Sequence, residues 1–591
     1  MFGIRRALSR SVLAATAVVA LLVVAAASAA SGGGPPARSF LTGMHARGQP
    51  AGVVEHGVAA AFTRGRWSVS SSAGRKLDVA ATDASGYAHI EHAVGGEAVG
   101  ATLAAAWHAE GFTGKGVKVA VIDGGFTGLA ERQADGDLPA NVVTQDFCGG
   151  KLATESEHGT AVAEIVHEMA PEAELDLLCI GSETDLAAAV AYAKAQGVRV
   201  INHSMGWEGP FRNDGSGAVG AIVAEARASG ILWVNSAGNE GESHWMGTYA
   251  DRGGAHAWHA NGDLGNTFVW PDGAEICGFL KWDEWPAGLS DFDLGLFLSG
   301  SNTLLASSDE EQGGGGGEPP FEAVCASQSS GADLTVFWAI RGYDVRSSPR
   351  IDLVSWSPPL EHAVAGGSIG APASSAAAFA VGALCWQSRE LEPYSSQGPT
   401  VDGRVKPDLV GHDSVSGATY GPFDGCPSAF AGTSASSPEV AGAAALVRQA
   451  FRAFSPDQVQ QYLLRAARDL GAAGPDSVYG AGELQLPEPP DVVAPTAKAL
   501  VGVGRRGKLL RLLATVSDDS GEVRVVELVQ RGRKTVATIE RGGFVSATGS
   551  KTVVTRWKAP AKAVGAYRHC VRVSDRAGNS SALSCARLVI R

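Results

Sequence analysis

From Gly116 onward, short β-branched runs alternate with helical stretches of about 10–15 residues, and few folds accommodate that pattern. Val117 to Ile122 reads as a buried strand, and Gly159 to Met169 as a helix stopped by Pro171. Leu175 to Ile180 is a second strand, Asp185 to Gln196 a helix, and Val198 to Ile201 a strand. Ala218 to Ala228 is helical and Ile231 to Val234 a strand. Strands that alternate with helices in this way form βαβ units and a mainly parallel sheet. In such sheets functional groups collect at the carboxyl ends of the strands.

The alternation fails after about Ala255. Until His362 there are short aromatic and β-branched runs, Phe268 to Trp270, Phe279 to Trp282, Leu294 to Leu298 and Leu334 to Ile340, separated by Gly-rich turns. An inserted antiparallel β-domain over 255–362 is expected. Helical character returns at Ser374 to Val381, Ser436 to Ala453 and Pro456 to Arg468, where Pro456 suits a first helical position. The α/β domain is therefore expected in two parts, 101–254 and 363–485. A Pro-rich linker, 486–496, leads to a unit at 497–591 whose short alternating strands suggest an immunoglobulin-like β-sandwich.

A chain of 591 residues is too long for one hydrophobic core. Arg5, Arg6 and Arg10 precede an apolar run from Val12 to Ala27, and Ala27-Ser28-Ala29 offers a small-residue cleavage site. Residues 1–30 thus read as a cleaved signal peptide rather than an anchor, and 31–100 as a prosegment or N-terminal extension. The His89-Ile90-Glu91-His92 cluster fits no zinc motif and reads as a solvated loop. Eight cysteines fall in sequential pairs, Cys148/Cys179, Cys277/Cys325, Cys385/Cys426 and Cys570/Cys585, as an oxidising compartment allows. Spacing alone leaves their connectivity open. A net charge of −13 without a long basic run argues against nucleic-acid or anionic-membrane binding.

Three residues stand where this architecture places chemistry. Asp123 ends the first strand and is followed by Gly124-Gly125, which leaves its carboxylate free to accept a bond from an imidazole. His158 precedes Gly159-Thr160 at a helix start, where small neighbours allow close packing on the sheet. Ser434 precedes an Ala-rich helix, whose orphan N–H groups and positive dipole end favour developing negative charge. Pro438 is read as a first-turn residue, where no N–H is needed. Alone, each residue has a structural reading as a turn residue, a packed imidazole or an N-cap. Their order, Asp then His then Ser, matches that of subtilisin and not of α/β-hydrolases.

The motifs that carry these residues resemble those of the subtilisin-like serine proteases, the subtilases. Val-Ala-Val-Ile-Asp123-Gly-Gly resembles the aspartate motif, and Glu-His158-Gly-Thr-Ala-Val-Ala the histidine motif. Gly-Thr-Ser434-Ala-Ser-Ser-Pro-Glu-Val-Ala-Gly is similar to the serine motif, and Ser-Ala-Gly238-Asn239-Glu-Gly to that of the oxyanion asparagine. Ser204, Met205 and Gly206 match the substrate-binding strand, and Tyr394 to Pro399 with Lys406-Pro407-Asp408 also follow the family. The resemblance implies a subtilisin-like three-layer α/β domain and a secreted endopeptidase acting on protein or peptide substrates. Asp123, His158 and Ser434 would be its triad and Asn239 its oxyanion donor. Gly124, Ala435 and Glu439 depart from the usual Ser or Thr, Met and His. Glu439 and Glu157 are expected to bear on working pH or substrate charge. Structural calcium is widespread in the family, but no Asp-rich loop here meets a ligand pattern, so no cofactor is expected.

Other readings fit less well. A serine esterase needs Gly-x-Ser-x-Gly, and Ser436 occupies the last position. Sedolisins use Glu for His and Asp for the oxyanion Asn, against which His158 and Asn239 argue. A non-catalytic surface protein would be expected to lack one of the four groups. The C-terminal unit is read either as a spacer or stability module, or as a contact with cell wall, glycan or protein substrate.

Overall fold

A computed structural model describes residues 54–56, 96–313 and 317–591. The signal-peptide reading, most of the N-terminal extension and the His89–His92 cluster lie outside them. The chain divides into two compact units, one built mainly from residues 247–353 and the other from the flanking segments.

The larger unit contains a seven-stranded sheet. Its strands are β1 (Lys118–Asp123), β2 (Val143–Asp146), β3 (Glu174–Cys179), β4 (Val200–His203), β5 (Leu232–Ser236), β6 (Ala378–Cys385) and β7 (Leu409–Asp413). They lie in the order β7-β6-β5-β4-β1-β3-β2, all parallel. Helices α1 (His158–Met169), α2 (Glu183–Gln196), α3 (Gly217–Ala228), α4 (Thr433–Ala450) and α5 (Pro456–Ala466) complete the layers. Val119 and Val121 of β1 pack in one core with α1 and α4, whereas Ala120 and Ile122 face α2 and α3. Both faces are covered, so these strands read as continuous apolar runs. The strand order runs outward in opposite directions from β1 and β4, which places a topological switch point at their carboxyl ends.

Ser374 to Val381 is not helical as expected. The segment turns at Ser374-Ser375 and enters β6, hydrogen-bonded between β5 and β7 and buried throughout. Its alanines suggested a helix, but Ala378 is buried in the core with α2 and α3 while Phe379 and Val381 pack in the core with α4, and that burial on both faces overrides propensity. Helix α4 also begins three residues earlier than expected, so Pro438 lies beyond its first turn. Lacking an N–H, Pro438 leaves the Ser434 carbonyl without its helical partner. The Ser204 hydroxyl donates to that carbonyl instead, at 3.1 Å. Helix α5 opens with a capping box, Ser455 to Gln458, with Pro456 at its first position.

The smaller unit is antiparallel. Strands Asn266–Trp270, Asp291–Leu298, Thr303–Ser308 and Leu334–Asp344 form one sheet. A five-stranded sheet contains Val54–His56, Phe321–Ser327, Glu275–Trp282, Arg350–Trp356 and His244–Thr248 in that order. The C-terminal segment forms a three-stranded sheet, Thr496–Ala499, Leu509–Ser517 and Lys551–Lys558, and a second sheet that includes Glu522–Arg531 and Gly565–Ser574. Disulfides join Cys148 to Cys179, Cys277 to Cys325, Cys385 to Cys426 and Cys570 to Cys585.

Candidate active site

Asp123 is the last residue of β1 and is buried. The Gly124 N–H donates to its Oδ1 at 2.8 Å. His158, the first residue of α1, sets Nδ1 at 2.9 and 3.0 Å from the two carboxylate oxygens. An ionised carboxylate only accepts, so the imidazole proton sits on Nδ1 and the Nε2 lone pair is left to act as base. Nε2 has no hydrogen-bond partner among the described residues. Gly159 makes this pairing possible, because a Cβ there would lie 2.8 Å from the Asp123 Cβ and 2.4 Å from the Gly125 carbonyl oxygen. The other side of the ring meets Phe430 edge-on, with centroids 5.5 Å apart.

Ser434 lies in the first turn of α4 and is buried. Its hydroxyl donates to the Ser204 carbonyl at 3.1 Å, at the carboxyl end of β4. The structure thus joins Asp123 to His158 and Ser434 to Ser204. Ser204 and Met205 are buried, whereas Gly206 is exposed.

Asn239 follows β5, and its amide orientation is set by Thr433. Oδ1 accepts from the Thr433 N–H at 3.0 Å and from its hydroxyl at 2.9 Å. A backbone N–H only donates, so Oδ1 must face it and Nδ2 must point the other way. Gly432 adopts φ +126°, and a Cβ there would stand 3.2 Å from Nδ2. Glycine therefore keeps the space before the amide clear. The Gly432 N–H is anchored in turn on Asp413 Oδ2 at 2.9 Å, where the Tyr394 hydroxyl also donates.

Sequence reasoning missed three of these supports. Thr433, Asp413 and Phe430 touch the site only through folding, although Thr433 stood inside the serine motif. His203, one residue before Ser204, is a fourth. It is fully buried, with Nδ1 2.9 Å from the Ile122 carbonyl and Nε2 accepting from Trp207 Nε1 at 3.0 Å. Burial lowers its pKa to about 4, so it stays neutral beneath the Asp123–His158 pair.

The substrate-charge part of the expectation for Glu439 does not hold. Glu439 is completely buried and cannot meet a substrate. Its Oε2 accepts from the His412 N–H at 2.9 Å and lies 3.1 Å from His412 Nδ1. His412 Nε2 lies 3.0 Å from Glu483, which also pairs with Arg389 at 3.3 Å and Arg468 at 3.0 Å. Burial alone would lower the His412 pKa, but Glu439 and Glu483 outweigh it and raise it to about 9. Glu157 is exposed beside His158.

A raised histidine pKa contributes stability that is complete below the unfolded value of about 6.5. That contribution is lost as pH rises through about 9. Glu439→Ala removes one of the two carboxylates paired with His412 and the acceptor of its N–H, leaving Glu483 in place, and is expected to cost about 1.5–3 kcal/mol, read from urea denaturation at pH 6. The gap to wild type should narrow above pH 9, and an unchanged gap would mean that His412 is not charged in the fold.

Of the groupings of potential metal ligands among the described residues, three include disulfide cysteines, which are not free to coordinate. His362 of the fourth is bonded to Asp263 at 3.0 Å. The all-carboxylate one brings Asp491 of the linker together with Asp518 and Asp519, which follow strand Leu509–Ser517.

Residues 114–269 and 355–482, which contain all four proposed groups, match the model of the Subtilase family. Those two segments are similar to the Subtilase family. Subtilisin E of Bacillus subtilis (strain 168) is 33% identical to it over 159 residues, 24% of this chain and 39% of that protein. Subtilisin Savinase of Lederbergia lenta is 36% identical over 156 residues, 23% of this chain and 53% of that protein. These matches span 39% and 53% of the length of the curated relatives. Among solved structures, the CspB protease of Clostridium Perfringens aligns with a TM-score of 0.47 at 16% identity, over 66% of this chain and 97% of its own. The subtilase match skips 270–354, where most of the antiparallel strands of the smaller unit lie.

Proposed function

We propose that this chain is a secreted serine endopeptidase that cleaves peptide bonds through an acyl-enzyme on Ser434. The observation that carries the reading is the Asp123–His158 pair, which holds the imidazole proton on Nδ1 and presents a bare Nε2. In the proposed reaction Ser434 Oγ leaves the Ser204 carbonyl and gives its proton to Nε2 while attacking the scissile carbonyl. Asp123 stabilises the imidazolium that forms. The tetrahedral oxyanion is received by Asn239 Nδ2 and the Ser434 N–H. The protonated His158 then supplies the leaving amine, and water repeats the sequence to release the acid.

Substrate is proposed to bind extended along Ser204, Met205 and Gly206, where backbone pairing gives affinity without demanding a particular side chain. Turnover of a fluorogenic peptide library, abolished by an irreversible serine reagent, is the expected result; a purified, folded chain that cleaves nothing would contradict it. Asn239→Ala removes one preorganised donor and is expected to lower kcat about 10²–10³-fold with little change in KM. Initial-rate kinetics on the best library peptide measure that split.

Export is supported by four disulfides, which persist in oxidising compartments. Residues 31–100 would then be a prosegment or extension, 255–362 an inserted β-domain and 497–591 an immunoglobulin-like sandwich. No nucleic-acid partner is proposed, and no membrane contact after signal cleavage. The C-terminal unit is proposed to contact cell wall or glycan.

A further inference from the structure

The charge of −13 is unevenly distributed. Residues 497–591 hold 19 Lys and Arg against six Asp and Glu, a net +13, which leaves −26 on the rest of the chain. In the three-stranded C-terminal sheet, Leu510, Leu512, Ala514 and Val553 are buried inward while Arg511 and Arg556 are exposed. The strand register sets Arg511 directly opposite Arg556. Like charges so placed are destabilising. Lys498 and Lys558 share that outward face by the same alternation.

Arg541 adds a third guanidinium, held by donation from Nη2 to the Val554 carbonyl. Arg511, Arg541 and Arg556, with Val554 and Thr555, line a pocket of about 610 Å³. Among the described residues, none of these arginines takes part in an ion pair. Carboxylates of the same unit are engaged elsewhere: Glu522 with Arg576 at 2.6 Å, Glu540 with Arg524 at 3.4 Å and Glu527 with His569 at 3.5 Å.

We propose that this face binds an anionic polysaccharide, with Arg511, Arg541 and Arg556 clamping a phosphate or carboxylate group of the polymer. The proposal rests on the glycan contact proposed above and is independent of the peptidase reading. Guanidinium forks match the oxygens of such groups, and a bound anion relieves the repulsion between Arg511 and Arg556. Single-stranded nucleic acid fits less well, because it stacks bases on exposed aromatic rings. Here Phe544 is exposed but has the Arg576 guanidinium over its ring at 4.5 Å, and Tyr567 is buried with Arg531 at 5.7 Å.

The test uses the full chain carrying Ser434→Ala, so that it cannot digest itself. Binding to immobilised polygalacturonate, poly(glycerol phosphate), neutral dextran and duplex DNA is measured across a salt series. Retention on both anionic polysaccharides but not on dextran is expected. Adding Arg511→Gln, Arg541→Gln and Arg556→Gln should weaken binding at least about tenfold and flatten the log K against log salt slope by about 2. Arg556→Gln alone changes only an exposed side chain and should weaken binding about threefold, which keeps the test decisive if the triple variant fails to fold. Arg531→Gln with Arg533→Gln, at another hairpin, should change affinity less than about twofold.

An equal loss in that control would overturn the pocket in favour of diffuse attraction. Dextran retention that survives the arginine changes would keep the glycan contact and overturn its anionic chemistry. Tighter binding to DNA than to either polysaccharide would overturn the polymer class.

Discussion

Ser434→Ala is expected to lower kcat by about 10⁶, the size found when the subtilisin nucleophile is removed. The substitution deletes one oxygen and its bond to the Ser204 carbonyl. It leaves the Ser204 hydroxyl on the Ser434 carbonyl and Thr433 on Asn239, so the start of α4 and the oxyanion donors keep their places. Binding should therefore persist, with KM near wild type, and a residual rate of about 10³–10⁴ over water should remain. Single-turnover kinetics on a fluorogenic peptide separate this from misfolding. A variant within a hundredfold of wild type would place the nucleophile elsewhere.

Asp123→Asn should cost about 10⁴ in kcat with little loss of stability. The two side chains are nearly isosteric, so the close packing of Gly159 against this position is undisturbed. The change lies in the proton. An amide NH₂ facing His158 Nδ1 forces the imidazole proton onto Nε2, which can then no longer accept from Ser434. Both effects are measurable on one sample, by initial rates and by thermal unfolding. A variant that loses stability in proportion to activity would make Asp123 structural only.

Much of this site was legible because its residues sit where a parallel sheet ends. Asp123 and His158 occupy a strand end and a helix start, positions that hydrophobic runs and small residues mark in sequence. What was not legible depends on tertiary neighbours. The alanines of β6 have a helical propensity that burial between two strands overrides. Pro438 could be placed correctly only once Ser204 was known to satisfy the carbonyl it orphans. Glu439 was expected to bear on working pH or substrate charge because it lies within the serine motif, close to Ser434 in sequence. The helix turn that separates them points it into the core, onto His412. Strands such as Phe321–Ser327 and Arg350–Trp356 carry buried Glu322 and Asp352, which blurred their pattern. The whole-chain charge hid a basic unit behind an acidic one, since a sum over 591 residues carries no information about placement.

The central claim is that Ser434 is a nucleophile activated by His158. Treating the folded, full-length chain with a fluorophosphonate and mapping the adduct by mass spectrometry tests it most directly. The account predicts one adduct, on Ser434, absent in Ser434→Ala and formed far more slowly in His158→Ala. Peptide cleavage by a chain that takes no adduct, or an adduct on another serine, would contradict it.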